Sequence, residues 1–149
     1  MTIDTLRSLQ QRIREATGPD RKLDLEICRA FDQPMGWSGD IDGLGSHRYT
    51  TDPDGLGPCV ALLRSVLPGY AWKVGTCCVS DDAWVVPDFN CPIHGERLRA
   101  EYGEIEWGSI WDTGIDIDRR PSGNVCLALL DAIVSALIAQ AEAKEKADV

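Results

Sequence analysis

The sequence predicts a single α/β domain of the α+β type, an antiparallel β-meander flanked by helices. Three observations predict it. Apolar residues recur at helical spacing near the start of the chain and again from Val125 to Ile138. Between Leu56 and Val86 the spacing switches from helical to alternating at Pro68-Gly69, as expected where a helix ends and a strand begins. Further short alternating runs follow, separated by turn-length gaps that suit antiparallel neighbours.

Taken in order, Thr2 to Ala16 carries Ile3, Leu6, Leu9 and Ile13 along one helical stripe. Thr17-Gly18-Pro19-Asp20 punctuates it, with Thr17 able to cap a second helix and Asp20 suited to that helix's positive end. The second helix places Leu23, Ile27, Ala30 and Phe31 inward, so residues 2–32 read as a helical hairpin. Residues 33–55 lose all periodicity in a loop rich in Gly, Asp, Ser and Pro, and a loop of about twenty residues is uncommon unless it serves a function or is disordered. Residues 56–118 read as a helix, a hairpin and further strands. Tyr70, Trp72, Val74, Thr76 and Cys78 share one strand face, and Ala83 with Val85 opposes Trp84 with Val86 on the next. Glu96 to Tyr102, Ile105 to Trp107 and Gly114 to Ile117 are expected as short strands. A long helix over 124–145, started by Ser122 or Asn124, is apolar most of the way round and so is expected to be buried on two sides. Either other layers of the fold or a second copy could cover it, and a homo-oligomer is expected.

The chain has 149 residues and a formal net charge of −9. One domain of this size buries a core without staples. The acidic balance argues against a general nucleic-acid binder, which needs a basic footprint, and against an anionic membrane surface. The start lacks a basic region followed by an apolar run, and Val125 to Ala139 is too short to span a bilayer, so the expected location is the cytoplasm. The six cysteines are then thiols or metal ligands, not disulfides.

Three separated blocks carry a resemblance: Ala16 to Ile27; Tyr49-Thr50-Thr51-Asp52 with Leu62-Leu63 and Leu67-Pro68-Gly69-Tyr70-Ala71-Trp72; and Arg120-Pro121-Ser122-Gly123-Asn124 to Leu130. In these the chain resembles a family of small phage and prophage proteins with a phage ABA (α/β/α) sandwich domain. The resemblance implies a sheet between helical layers, in a phage or prophage setting. It implies no activity, and it does not extend to the Cys- and His-bearing insert from Cys77 to His94.

Within that insert, Cys91-Pro92-Ile93-His94-Gly95 has the form of a zinc knuckle, a tight turn aiming two soft ligands at one tetrahedral ion. Cys77, Cys78 or His47 could complete the set, with a bulge needed to bring in both cysteines because strand neighbours point to opposite faces. The alternative reading makes Cys78 a buried small hydrophobe and His94 an exposed loop residue. A second candidate is Arg119-Arg120-Pro121-Ser122-Gly123-Asn124. Helix-start N–H groups, two guanidinium groups, Ser122 and Asn124 form an anion site suited to a small phosphorylated ligand. Its alternative is a capped helix start whose arginines pair with Asp116 and Asp118. The runs Asp40 to Gly43 and Asp52 to Gly55 lack the distal Glu of a calcium loop and read as solvated turns. Gly-x-Ser-x-Gly, phosphate-loop, His-Glu-x-x-His and dinucleotide glycine motifs are missing from the sequence.

The functional expectation is a non-catalytic phage or prophage accessory protein. It would bind a host protein or a small phosphorylated ligand at Arg119, Arg120, Ser122 and Asn124. The alternatives are a zinc-stabilised module using Cys77, Cys78, Cys91 and His94, and an enzyme with carboxylate or metal chemistry.

Overall fold

The computed structural model describes residues 1–31, 48–51, 55–102, 115–119 and 124–147, without the side chains of 102, 115–119 and 147. Its elements are α1 (Ile3–Glu15), α2 (Arg21–Ala30), α3 (Leu56–Val66), β1 (Tyr70–Thr76), β2 (Asp81–Pro87), α4 (Gly95–Tyr102), β3 (Ile115–Arg119) and α5 (Val125–Ala147). The mixed α+β class is as the periodicity predicts. The expected strands over 105–107 and 114 lie outside the described residues.

The first two helices begin at side-chain caps. Thr2 caps α1, its Oγ1 accepting the Thr5 N–H at 3.2 Å. Asp20, not Thr17, caps α2: its Oδ1 accepts from Lys22 N at 3.0 Å and Leu23 N at 3.1 Å. A carboxylate there also meets the positive end of the helix, which a Thr17 cap would not supply. α3 stops before Leu67-Pro68-Gly69, where Gly69 takes a positive φ of 87° and turns the chain into β1.

The sheet is antiparallel in the order β1-β2-β3. Its register pairs Tyr70 with Pro87, Trp72 with Val85 and Thr76 with Asp81 across the hairpin. On the other side of β2, Val85 pairs with Ile115, Ala83 with Ile117 and Asp81 with Arg119. The face carrying Tyr70, Trp72, Val74, Ala83 and Val85 packs on the main core, as strand alternation predicts.

α5 is the centre of that core. It touches α1, α3 and all three strands. Cys126 to Val134 are buried without interruption, so the two-sided burial expected of this helix is met within one chain. Each fully buried Leu contributes about 1.5–3 kcal/mol relative to exposure, and Leu127, Leu129 and Leu130 are all nearly inaccessible. The helix also runs past Ala139: Val125–Lys146 is long and apolar enough to cross a bilayer by length and composition, and is largely buried here. The short polar seam against α1 is Asp131, which accepts from Arg14 Nε at 3.1 Å and from Ser135 Oγ at 3.1 Å.

One predicted strand is a helix. Glu96 to Tyr102 forms most of α4, begun by bonds from Gly95 N to Cys91 O at 2.8 Å and from Leu98 N to His94 O at 3.0 Å. Within 96–101 only Leu98 is buried, and Ala100, which a strand would turn inward beside it, is exposed. Strand and helix patterns share their i and i+4 positions, so a short run fits both.

Candidate functional site

The polar residues buried deepest converge at one end of the fold, where the hairpin turns, β3 stops and α5 starts. They form a chain of hydrogen bonds. Thr76 Oγ1 donates to Asp81 Oδ1 at 2.7 Å, across the last register pair of the hairpin. Asp81 Oδ2 accepts from the backbone N–H of Asn124 at 3.4 Å. Asn124 Oδ1 caps α5 by accepting from Leu127 N at 3.2 Å, while its Nδ2 donates to Thr50 O at 2.7 Å. Thr50 in turn gives Asp24 Oδ1 both its backbone N–H and its hydroxyl, each at 2.9 Å.

This network explains residues 48–51, which belong to no helix or strand. Their buried backbone groups are satisfied by side chains from three helices. Asp24 comes from α2, Cys59 Sγ donates to Tyr49 O at 3.3 Å from α3, and Asn124 reaches in from the start of α5. Tyr49 is itself buried and lies among thiols, with Cys28 Sγ 3.9 Å from its hydroxyl oxygen. Burial pushes the Tyr49 phenol and the Cys28 and Cys59 thiols up, so all three stay protonated.

Of the predicted anion-binding residues, Asn124 is buried and both ends of its amide are committed internally. It positions the helix start; it is not a surface contact. Arg119 closes β3 in register with Asp81, which brings the strand end to this corner. Arg120 and Ser122 lie outside the described residues, as do His47 and the Asp40 to Gly43 run. Sequence reasoning missed Asp81, the protein's own carboxylate beside the α5 start. The available signal was an Asp-Asp pair opening an apolar strand, where the inward residue of the pair must find a buried partner.

The four predicted zinc ligands do not meet. Cys77 and Cys78 sit in the turn between β1 and β2, whereas Cys91 and His94 follow the far end of β2. The seven residues of β2 separate the two pairs, which at ~3.3 Å per residue is roughly 20 Å. The alternative reading of this insert is corrected as well: Cys78 is exposed and His94 is half-buried. His94 packs on the Gly69 turn, where a Cβ on Gly69 would fall 2.5 Å from the His94 Cβ. Among the described residues no group of three or more His, Cys, Asp or Glu side chains is placed to hold a metal.

A shallow apolar groove of about 450 Å³, lined by Leu6, Phe31, Val66 and Leu137 among others, lies toward the other end of α5. It shares no residue with the polar corner. Comparisons with protein-family models, curated proteins and solved structures gave no match.

Proposed function

We propose that this chain is a non-catalytic phage or prophage accessory protein that binds a host protein. The binding face is the corner formed by the hairpin tip, the end of β3 and the start of α5, with Arg119 and Arg120 the cationic residues that the sequence supplies there. The observation that carries this reading is Val79, a branched apolar side chain 71% exposed at the tip, in the turn beside the strand pair that ends at Arg119. An exposed apolar knob, at a corner whose strand runs in sequence into two arginines, suits a protein surface.

A small phosphorylated ligand is the weaker of the two expected partners. The first amide at the α5 start already faces the buried Asp81 carboxyl. An incoming phosphate would have to displace that carboxyl from the amide it already occupies. The family setting and an α/β/α sandwich belong to the same reading. Val86 is buried on the sheet face away from α5, and Leu98 of α4 is buried outside the main core, which supports α4 as part of a second layer.

The test compares the wild type with a V79D/R119A/R120A variant of equal thermal midpoint, each used to capture protein from bacterial lysate. A partner held by the wild type and lost by the variant is the expected result. If a folded variant keeps the same partner, this face is not the binding surface. A phosphorylated small molecule seen on the wild type by native mass spectrometry, and missing from the variant, would replace the host protein as the guest.

A further inference from the structure

The fold sorts its cysteines into two environments. Cys28, Cys59 and Cys126 are buried around the Tyr49–Thr51 segment, and burial holds the first two as protonated, unreactive thiols. Cys77 and Cys78 are neighbours in the β1–β2 turn, and both are exposed. Cys77 N donates to Ser80 O at 2.9 Å and closes that turn. The fold-back sets the backbone N–H groups of Val79 and Ser80 toward the Cys77 sulfur, with the Ser80 hydroxyl 3.8 Å from it. These donors favour the thiolate and lower the Cys77 pKa from the ordinary thiol value; the Asp82 carboxylate on β2 opposes them without prevailing.

We propose that the Cys77–Cys78 pair is a thiol-exchange site for low-molecular-weight disulfides of the glutathione class, with Cys77 as the attacking sulfur. The Cys77 thiolate attacks one sulfur of the disulfide. The new S–S bond forms as the old one breaks, and the electron pair leaves on the second half of the substrate, which takes a proton from water. Cys77 is thereby oxidised to a mixed disulfide and one substrate half is reduced to a thiol. Cys78 is the sulfur beside the adduct that can attack it in turn, expelling the second half as a thiol and closing a Cys77–Cys78 disulfide. Adjacent Cα atoms lie ~3.8 Å apart, whereas disulfides usually span about 4.4–6.8 Å. The closed form is therefore strained, and released small thiol reopens it to the adduct. The adduct is the state that accumulates, and Cys78 makes it reversible. It sets an anionic peptide on the proposed binding face, but the chemistry does not depend on a host partner.

The test incubates the full-length reduced protein with oxidised glutathione near neutral pH and maps the product by peptide mass. One glutathione on Cys77 is expected in the wild type and in C78S, with C77S reacting at least about tenfold more slowly. When free glutathione is removed, the wild type should partly convert to a form lacking glutathione and two hydrogens, and C78S should not. Iodoacetamide should show a fast phase that inflects below the ordinary thiol value and vanishes in C77S. The proposal is overturned by C77S reacting as fast as the wild type, by an adduct on Cys91, or by a fast phase that inflects at the ordinary thiol value.

Discussion

Asp24 Oδ1 accepts two hydrogen bonds from Thr50, one from the backbone N–H and one from the hydroxyl, both at 2.9 Å. The pair joins α2 to a segment with no secondary structure of its own, and both residues are inaccessible to solvent. Burial raises the Asp24 carboxyl above the usual carboxylate range, outweighing the Thr50 bonds and the Arg21 guanidinium, which lower it.

The sign of the pH effect follows. A carboxyl whose folded-state pKa is raised keeps its proton in the native state over a range where the unfolded chain has lost it. Its contribution is full below the ordinary carboxylate value and is lost as pH rises through the raised value. The D24N variant keeps an oxygen to accept from Thr50 but cannot ionise. In urea titrations from acid to neutral pH, the wild type should lose stability across that window relative to D24N. Parallel curves for the two proteins would remove Asp24 from the account.

Asn124 does two jobs at once, so N124A should cost more than a lost cap. Removing the N-cap accounts for about 1 kcal/mol. Stranding the buried Thr50 carbonyl adds about 1–3 kcal/mol. Chemical denaturation should therefore show a loss of about 2 kcal/mol or more, and N124D, which caps but cannot donate to Thr50 O, should recover only part of it.

Gly69 predicts a third result. An Ala there must adopt a φ of 87° and bring its Cβ within 2.5 Å of the His94 Cβ and 2.9 Å of Leu98 Cδ1. The left-handed backbone alone costs about 1–2 kcal/mol, and overpacking adds about 1–3 kcal/mol. Adding H94G to G69A should return part of the loss in a double-mutant cycle. Since His94 acts here by packing, a strong chelator should leave the thermal midpoint in place; a falling midpoint would restore the zinc reading.

Leu129 is fully buried in the second turn of α5. L129A should lower stability by about 2–5 kcal/mol, the range for large-to-small changes in a well-packed core. A loss under about 1 kcal/mol would mean that α5 is not the centre of the core.

Much of the fold was legible because it rests on periodicity. The stripe Leu6, Leu9 and Ile13, the Pro68-Gly69 punctuation and the inward face of the hairpin all appear as the spacing predicts. The run in α4 fits a strand as well as a helix, because so few residues cannot separate a period of two from one of three and a half when Leu98 alone is buried within 96–101. The candidate site was less legible still. Asp24, Thr50, Asp81 and Asn124 are far apart in the chain, and each taken alone resembles an ordinary cap or turn residue. Their meaning lies in pairing across sequence separations of 26, 43 and 74 residues, which no local pattern encodes. The split of Cys77 and Cys78 from Cys91 and His94 has the same origin, since proximity in sequence says nothing about which end of a strand each pair occupies.

The clasp on Tyr49, Thr50 and Thr51 also bears on how this protein can diverge. Those residues are held by donors and acceptors from α2, α3 and α5, so none of the partners can drift alone. In descendants of this sequence, loss of the acid at 24 should come with loss of the hydroxyl at 50. The amide at 124 should persist wherever a polar main-chain turn still fills that space. Helix faces can exchange one aliphatic residue for another, but these positions must change as a set, and their joint substitution pattern would trace the lineage more reliably than the core does.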